Sequence, residues 1–305
     1  MGEQHPRVNA IVAGGGKLVS GGSFVSGESM LVRQVLWLMM SILALLSGGC
    51  NSPPPIPIAG LQLWLKADAG VTLNGSKVSK WADQSGKGND AIQLDLPHQP
   101  LLVNDGLNGK PTIRFDSLSR LGLTGSKRMN QISLFIMFKM DSGTYVSHNL
   151  IEFRDIDADG SEWGVNLQTS YTGFSPDVVN IFAGRSEVRA VAPLCAAFGV
   201  WHSISAVTDR VMSTTTFREN GIDAQTTLPH NNLSISVPIG NPTGTGGQIA
   251  GPDGSQPPPG RTAAKCDIAE VILYDRALSD SLRRSVEQYL GMKYQLPPGG
   301  EVKSR

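Results

Sequence analysis

Charge is scarce in this sequence and carries no bias of sign. Lys and Arg total 26, Asp and Glu total 26, and charged residues make up 17% of the chain. A balanced chain offers no basic face, which removes the electrostatic case for nucleic acid as a partner. Catalytic signatures are also missing. There is no Gly-x-Ser-x-Gly elbow, the 5 His are scattered without metal-ligand spacing, and no phosphate loop occurs beyond residue 50. No apolar run reaches the roughly 20 residues needed to span a bilayer. By contrast, turn formers abound: 35 Gly and 19 Pro favour strands joined by loops over helical bundles.

The longest apolar run lies within Met30 to Cys50. Arg33 supplies a positive start, Val35 to Leu46 is apolar apart from Ser41, and Ser47, Gly48 and Gly49 lead into Cys50. Small residues after a short apolar run suit a cleaved export signal. The segment resembles a bacterial lipoprotein signal, which implies lipidation of Cys50, although Ser47 stands where that signal usually has Leu. The alternatives are an ordinary secretory signal and an uncleaved anchor. Residues 1–29 are rich in Gly and Ser and lack apolar periodicity, so translation is expected to begin at Met30. Residues 51–59 hold Pro53, Pro54, Pro55 and Pro57 and read as a polyproline II tether reaching roughly 25 Å at about 3.1 Å per residue. Asn51 is not the aspartate of inner-membrane retention, so the outer membrane or cell surface is the expected location. Export leaves Cys195 and Cys266 as an even pair in an oxidising compartment. A bridge between them would close a loop of about 70 residues and contribute roughly 4 kcal/mol; two buried free thiols are the alternative.

Beyond the tether, strand patterns dominate. Leu61–Lys66 and Pro111–Phe115 alternate with period two, and Ile132–Met140 and Cys266–Tyr274 are apolar runs of strand length. Leu150–Arg154 with Trp163–Leu167 reads as a hairpin, and Trp201–Val207 with Thr214–Arg218 as another, with a tight turn at Asn220-Gly221. One helix follows. Ser279 caps it, Asp280 suits its first turn, Leu282, Val286, Tyr289 and Leu290 form its stripe, and Pro297-Pro298 stop it. It is expected to pack on an edge or end of the sandwich. Gly240 to Gly260 is a polar loop without a core of its own, and 297–305 is a tail.

Three segments near the start, Gly60–Asp68, Trp81–Ala91 and Asn108–Asp116, and one near the end, Ile268–Ser279, are similar to the LamG-like, concanavalin A-like lectin/glucanase domains. The resemblance covers nearly all of residues 60–296. It implies an all-β fold: a two-sheet antiparallel jelly-roll sandwich with a short C-terminal helix. It implies no ligand, because one fold hosts many functions.

Glycosidases need two carboxyl groups roughly 5 to 5.5 Å apart, or wider in inverting enzymes. Glu152 with Asp155, and Asp267 with Glu270, are three apart and so expected on opposite strand faces. The chain is therefore expected not to be an enzyme, with a glycoside hydrolase of unrecognised site as the alternative. Asp155, Asp157 and Asp159, with Gly160 in sixth place, match the first half of a calcium loop, making calcium the candidate cofactor. Asn166 replaces the Glu required at position twelve, and a solvated acidic turn is the alternative. Sugar binding needs an exposed aromatic beside amides and carboxylates. The candidates are Trp81, Asp83, Asn89, Trp163 and Tyr171; a polar loop capping the first strands is the alternative for the Asp83 cluster. The expected function is non-catalytic surface recognition of a polysaccharide or an envelope protein, from a membrane anchor at Cys50. A structural or adhesive module with a calcium-stabilised loop is the competing expectation.

Overall fold

The computed structural model describes residues 52–116, 118–124, 128–129, 131–141, 148–156, 162–169, 179–184, 189–192, 198–209, 214–224, 237–238, 247–250, 264–296 and 302–303. The chain opens with β1 (Leu61–Lys66), β2 (Val71–Asn74), β3 (Lys77–Trp81), β4 (Ala91–Ile92), β5 (Leu101–Leu107) and β6 (Lys110–Phe115). Next come β7 (Leu121–Leu123), β8 (Arg128–Met129), β9 (Gln131–Met140), β10 (His148–Ile156), β11 (Glu162–Thr169), β12 (Val179–Gly184) and β13 (Arg189–Ala192). β14 (Val200–Asp209), β15 (Thr214–Glu219), β16 (Ile222–Ala224), β17 (Val237–Pro238), β18 (Gln248–Ile249) and β19 (Cys266–Tyr274) lead to α1 (Asp280–Tyr294) and β20 (Val302–Lys303).

The pairing is antiparallel and forms two layers. The first runs β16–β15–β14–β9–β19, with β6 and β1 sharing the far edge of β19 and β5 outside β6. The second runs β2–β3–β4–β7–β18–β10–β11–β12–β13. They join where Lys77 of β3 pairs with Leu101 of β5. The expected all-β sandwich is therefore present, and period-two patterning explains it. Leu63, Leu65, Ile113, Ile136, Phe138, Ile268 and Val271 of the first layer meet Val78, Trp81, Ala91, Leu121, Leu150 and Ile249 of the second in one buried core. Asn220 and Gly221, with φ of 49° and 78°, turn β15 into β16 as the Asn-Gly pair requires.

The outer face of the first layer is apolar as well. Phe135, Met137, Trp201, Ile272 and Tyr274 form a second buried cluster with Val286, Tyr289, Leu290 and Tyr294 of α1. The helix thus lies across a sheet face, not on an edge or end, because that face needs cover. Ser279 caps it by accepting from the Leu282 amide, while Leu282 itself is 41% exposed and outside the stripe.

A β-bulge between Ile268 and Glu270 supplies an anchor for this helix. The extra residue turns Glu270 toward α1, where its fully buried carboxylate accepts from Trp64 Nε1 at 2.6 Å, Lys293 Nζ at 2.7 Å and the Tyr294 hydroxyl at 2.8 Å. A second buried pair holds the other end of α1. Arg283 donates to Ser205 Oγ at 2.9 Å and pairs with Glu287 at 3.2 Å, and burial lowers its guanidinium to about 10.

Cys266 faces the core as a free thiol, and Cys195, its expected disulfide partner, is not among the described residues. Burial, with Asp267 and Asp141 nearby, pushes that thiol well above its ordinary value. Cys50 also lies outside the described residues, as do the segments 1–29 and 30–50, and all of the long loop except residues 247–250.

Candidate functional site

The polar cluster after Trp81 is the first place to examine. Trp81 is fully buried in the sandwich core, so no face of its ring is open to a sugar. Its expected stacking role is corrected: alternation along β3 turns the indole inward. Asp83 accepts from the amides of Trp64 at 2.8 Å, Ser85 at 2.8 Å and Asn89 at 3.0 Å, and from Ser85 Oγ at 2.6 Å. An ionised carboxylate has about four acceptor sites, so this one is filled. Asn89 is buried too and spends its side-chain amide on the Gln62 carbonyl at 2.7 Å. Asp90 closes the knot by accepting from the Asp83 amide at 2.9 Å and pairing with Lys80 at 2.5 Å. Burial raises the Asp90 carboxyl, but these partners outweigh burial and hold it below the ordinary range. Asp83 and Asn89 bind the loop to β1, and the Asp83 carboxylate has no acceptor site left for a ligand.

The other sequence candidates are less visible. The backbone sets Trp163 opposite Asp155, and Ile156 opposite Glu162, across a β10–β11 hairpin. Their side chains, with all of Tyr171, Asp157 and Asp159, lie outside the described residues. Among the described residues no group of His, Cys, Asp or Glu is placed to hold a metal ion, and no helix is long and apolar enough to cross a membrane.

An unfilled polar site sits elsewhere, at one end of the first layer. β6, β19 and β9 run side by side, and register places Arg114, Asp267 and Lys139 in one cross-strand row. One step beyond the strand ends lie Asp116, Lys265 and Asp141, with the Asp141 amide donating to the Lys265 carbonyl at 2.9 Å. Signs alternate along both rows and between them, plus-minus-plus above minus-plus-minus. Arg114 clamps Asp267 through Nε at 2.7 Å and Nη2 at 2.8 Å, and Lys139 Nζ reaches the same carboxylate at 3.2 Å. The Asp267 bond raises the Arg114 guanidinium above its ordinary value. Asp116 is pushed up by burial but pulled further down by the amides of Leu118 at 2.9 Å and Ser119 at 2.7 Å, leaving a depressed carboxyl.

Of these, Arg114, Asp116, Asp141 and Lys265 border a cleft of about 240 Å³ that also takes in Gln99, Pro100, Leu101, Phe115 and Ser119. Gln99 is 1% exposed; its Nε2 donates to the Gln93 carbonyl at 2.7 Å, while its Oε1 has no partner. A buried amide oxygen left in this state is unfavourable by about 1–3 kcal/mol, so a hydroxyl reaching it is stabilised. A larger cavity of about 410 Å³ lies between α1 and the β15–β16 turn, beside Met292 and Leu296. Two of its polar groups are already engaged: Asn220 Oδ1 accepts from the Ser203 amide, and Glu287 holds Ser205, Arg218 and Arg283. Size favours that cavity, but chemistry favours the smaller cleft.

The bulge also changes the reading of the carboxylates. Asp267 and Glu270, three apart, share the outer face of the first layer, since the inserted residue breaks the alternation that would separate them. Both are nevertheless engaged by cations, Asp267 by Arg114 and Lys139, Glu270 by Lys293.

No protein-family model matches the sequence, and no curated protein matches it significantly. Comparison with solved structures does find matches. The chain is similar to a Trypanosoma rangeli sialidase in complex with sialic acid, with a TM-score of 0.53 and 14% identity, over 86% of this chain and 40% of that one. Domain 4 of a GH43 extracellular arabinanase from Geobacillus stearothermophilus, in complex with arabinotriose, gives a TM-score of 0.46 at 14% identity over 76% of this chain and 98% of that one. A putative carbohydrate binding protein from Bacteroides ovatus gives 0.40 at 11% identity, over 52% and 41%. The chain thus spans under half the length of the sialidase it matches. Because a sialidase is among the proteins sharing this fold, the expectation that the chain is not an enzyme is corrected: it rested on missing motifs, and the architecture is one that a carbohydrate-active enzyme also carries.

Proposed function

We propose that this chain recognises carbohydrate at a bacterial cell envelope, held there by lipid on Cys50. The observation that carries the proposal is the cleft bordered by Arg114, Asp116, Asp141 and Lys265, where donors and acceptors alternate above an unpartnered Gln99 oxygen. Such a lining suits a polyhydroxylated ligand, and strand ends hold it rigidly. Support of a broader kind comes from the fold shared with a sialidase that holds sialic acid. A polysaccharide is the expected partner, and the tether of residues 51–59 would present the sandwich away from its membrane. Calcium at Asp155, Asp157 and Asp159 is an accessory part of the proposal, supported by the hairpin register that brings Asp155 to the end of β10. An immobilised panel of bacterial and plant polysaccharides tests the main reading: retention of the protein on at least one is expected, and failure on all of them contradicts it. Thermal unfolding with and without millimolar calcium tests the accessory one. A specific site at 100-fold excess adds about 2.7 kcal/mol, a shift of a few degrees that Asp157→Ala should erase.

A further inference from the structure

The geometry points to a single uncharged sugar ring as the occupant of the 240 Å³ cleft, an inference that rests on the carbohydrate reading and names its ligand. Size limits the occupant first. Pockets for drug-sized ligands run from roughly 300 to 1,000 Å³, so this one takes one ring of a chain and leaves the rest outside.

Charge limits it next. The two rows, Arg114–Asp267–Lys139 and Asp116–Lys265–Asp141, hold three cations and three anions in alternation. Asp267 already takes two Arg114 nitrogens and Lys139, so an incoming carboxylate or phosphate would meet Asp116 and Asp141 before any uncommitted pair of cations. An ammonium group would meet Lys265 and Arg114 in the same way. Hydroxyl groups fit this pattern because each both donates and accepts. Arg114 keeps N–H donors beyond the two bound to Asp267. The Asp116 Oδ1 atom serves the Leu118 and Ser119 amides and leaves the second oxygen as acceptor.

Gln99 is the independent sign of a ligand. Its side chain is almost wholly buried, it lines the cleft, and its Oε1 lacks a donor. Oε1 is itself shut off from solvent, so a ring hydroxyl supplies that donor when the Gln99 amide turns toward the cleft. Pro100 and Leu101 on the same border give the C–H face of a pyranose or furanose an apolar wall. Specificity for uncharged rings follows from the cancelling rows.

The test uses the full chain against neutral xylo-, arabino-, gluco-, galacto- and manno-oligosaccharides, with galacturonate and sialylated oligosaccharides as the charged set. The best neutral binder is then titrated against the protein and against Gln99→Leu, Asp141→Ala and Lys265→Met, with the melting temperature of each recorded. Asp141 and Lys265 are exposed, so their variants keep the test valid if Gln99→Leu folds poorly. Expected are binding of a neutral oligosaccharide and an increase in Kd of about tenfold or more in the variants at unchanged melting temperature. Neutral binding that no cleft variant weakens leaves carbohydrate recognition standing and overturns the cleft. Binding of the charged set alone overturns the uncharged ligand. Failure of every oligosaccharide and polysaccharide overturns both readings together.

Discussion

The knot at Asp83 and the cleft at Gln99 are both polar and both lie beside the same sandwich, yet they differ in what they have left to give. Asp83 takes four donors from its own loop and from β1, and Asn89 is turned inward. At the cleft, charges balance each other across three strands and one buried amide oxygen remains unpaired. Residue type alone would rank the knot first, because it gathers Asp, Ser, Asn and Asp within nine positions of a Trp. Counting partners reverses the ranking. A polar side chain is available to a ligand only to the extent that the fold has not already used it.

The comparison can be broken most forcefully at the knot. Asp83→Ala frees three backbone amides and should lower unfolding stability by about 3 kcal/mol or more, read by urea denaturation, with sugar affinity unchanged in the folded fraction. A stable variant that loses sugar binding would make the knot the site. Next in size is the opposite pattern at the cleft. Gln99→Leu should change stability by less than about 1 kcal/mol while weakening sugar binding about tenfold. A third comparison uses acid. Asp90 in the knot and Asp116 at the cleft both have depressed carboxyls in the fold. The stability they contribute is present above the unfolded aspartate value of about 3.9 and is lost as pH falls through their lower folded values. The melting temperature should therefore drop below about pH 4, and Asp90→Asn should flatten that drop; an unchanged acid slope would show that Asp90 does not tie the loop. The smallest effect is expected at Cys266. Its buried, raised thiol should stay unlabelled by iodoacetamide until the protein unfolds, as peptide mass spectrometry would show. A Cys195–Cys266 peptide in that experiment would establish the disulfide.

Much of the fold was legible in the sequence, for a local reason. Leu61–Lys66, Ile132–Met140 and Cys266–Tyr274 show their burial in their own spacing, and Asn220-Gly221 declares a turn in two residues. The place of α1 was not legible, because the apolar outer face it covers is assembled from β9, β14 and β19. The common face of Asp267 and Glu270 escaped for a different reason: a single bulge resets the alternation, and no residue in Ile268-Ala269-Glu270 announces it. The cleft escaped most completely. Arg114, Asp141 and Lys265 come from distant segments and meet only through register, and the orphaned oxygen of Gln99 belongs to a residue with no motif around it. A regular charge at each strand end was the only available signal, and without the pairing it has no meaning.

The most direct test of cleft against knot is amide and side-chain NMR on the 15N-labelled protein during titration with the best neutral oligosaccharide. Shifts confined to the Gln99 side-chain amide, Leu101, Arg114 Nε, Asp141 and Lys265 are the expected result. Shifts centred on Ser85 to Asp90, with those resonances unmoved, would place recognition at the knot and contradict the assignment.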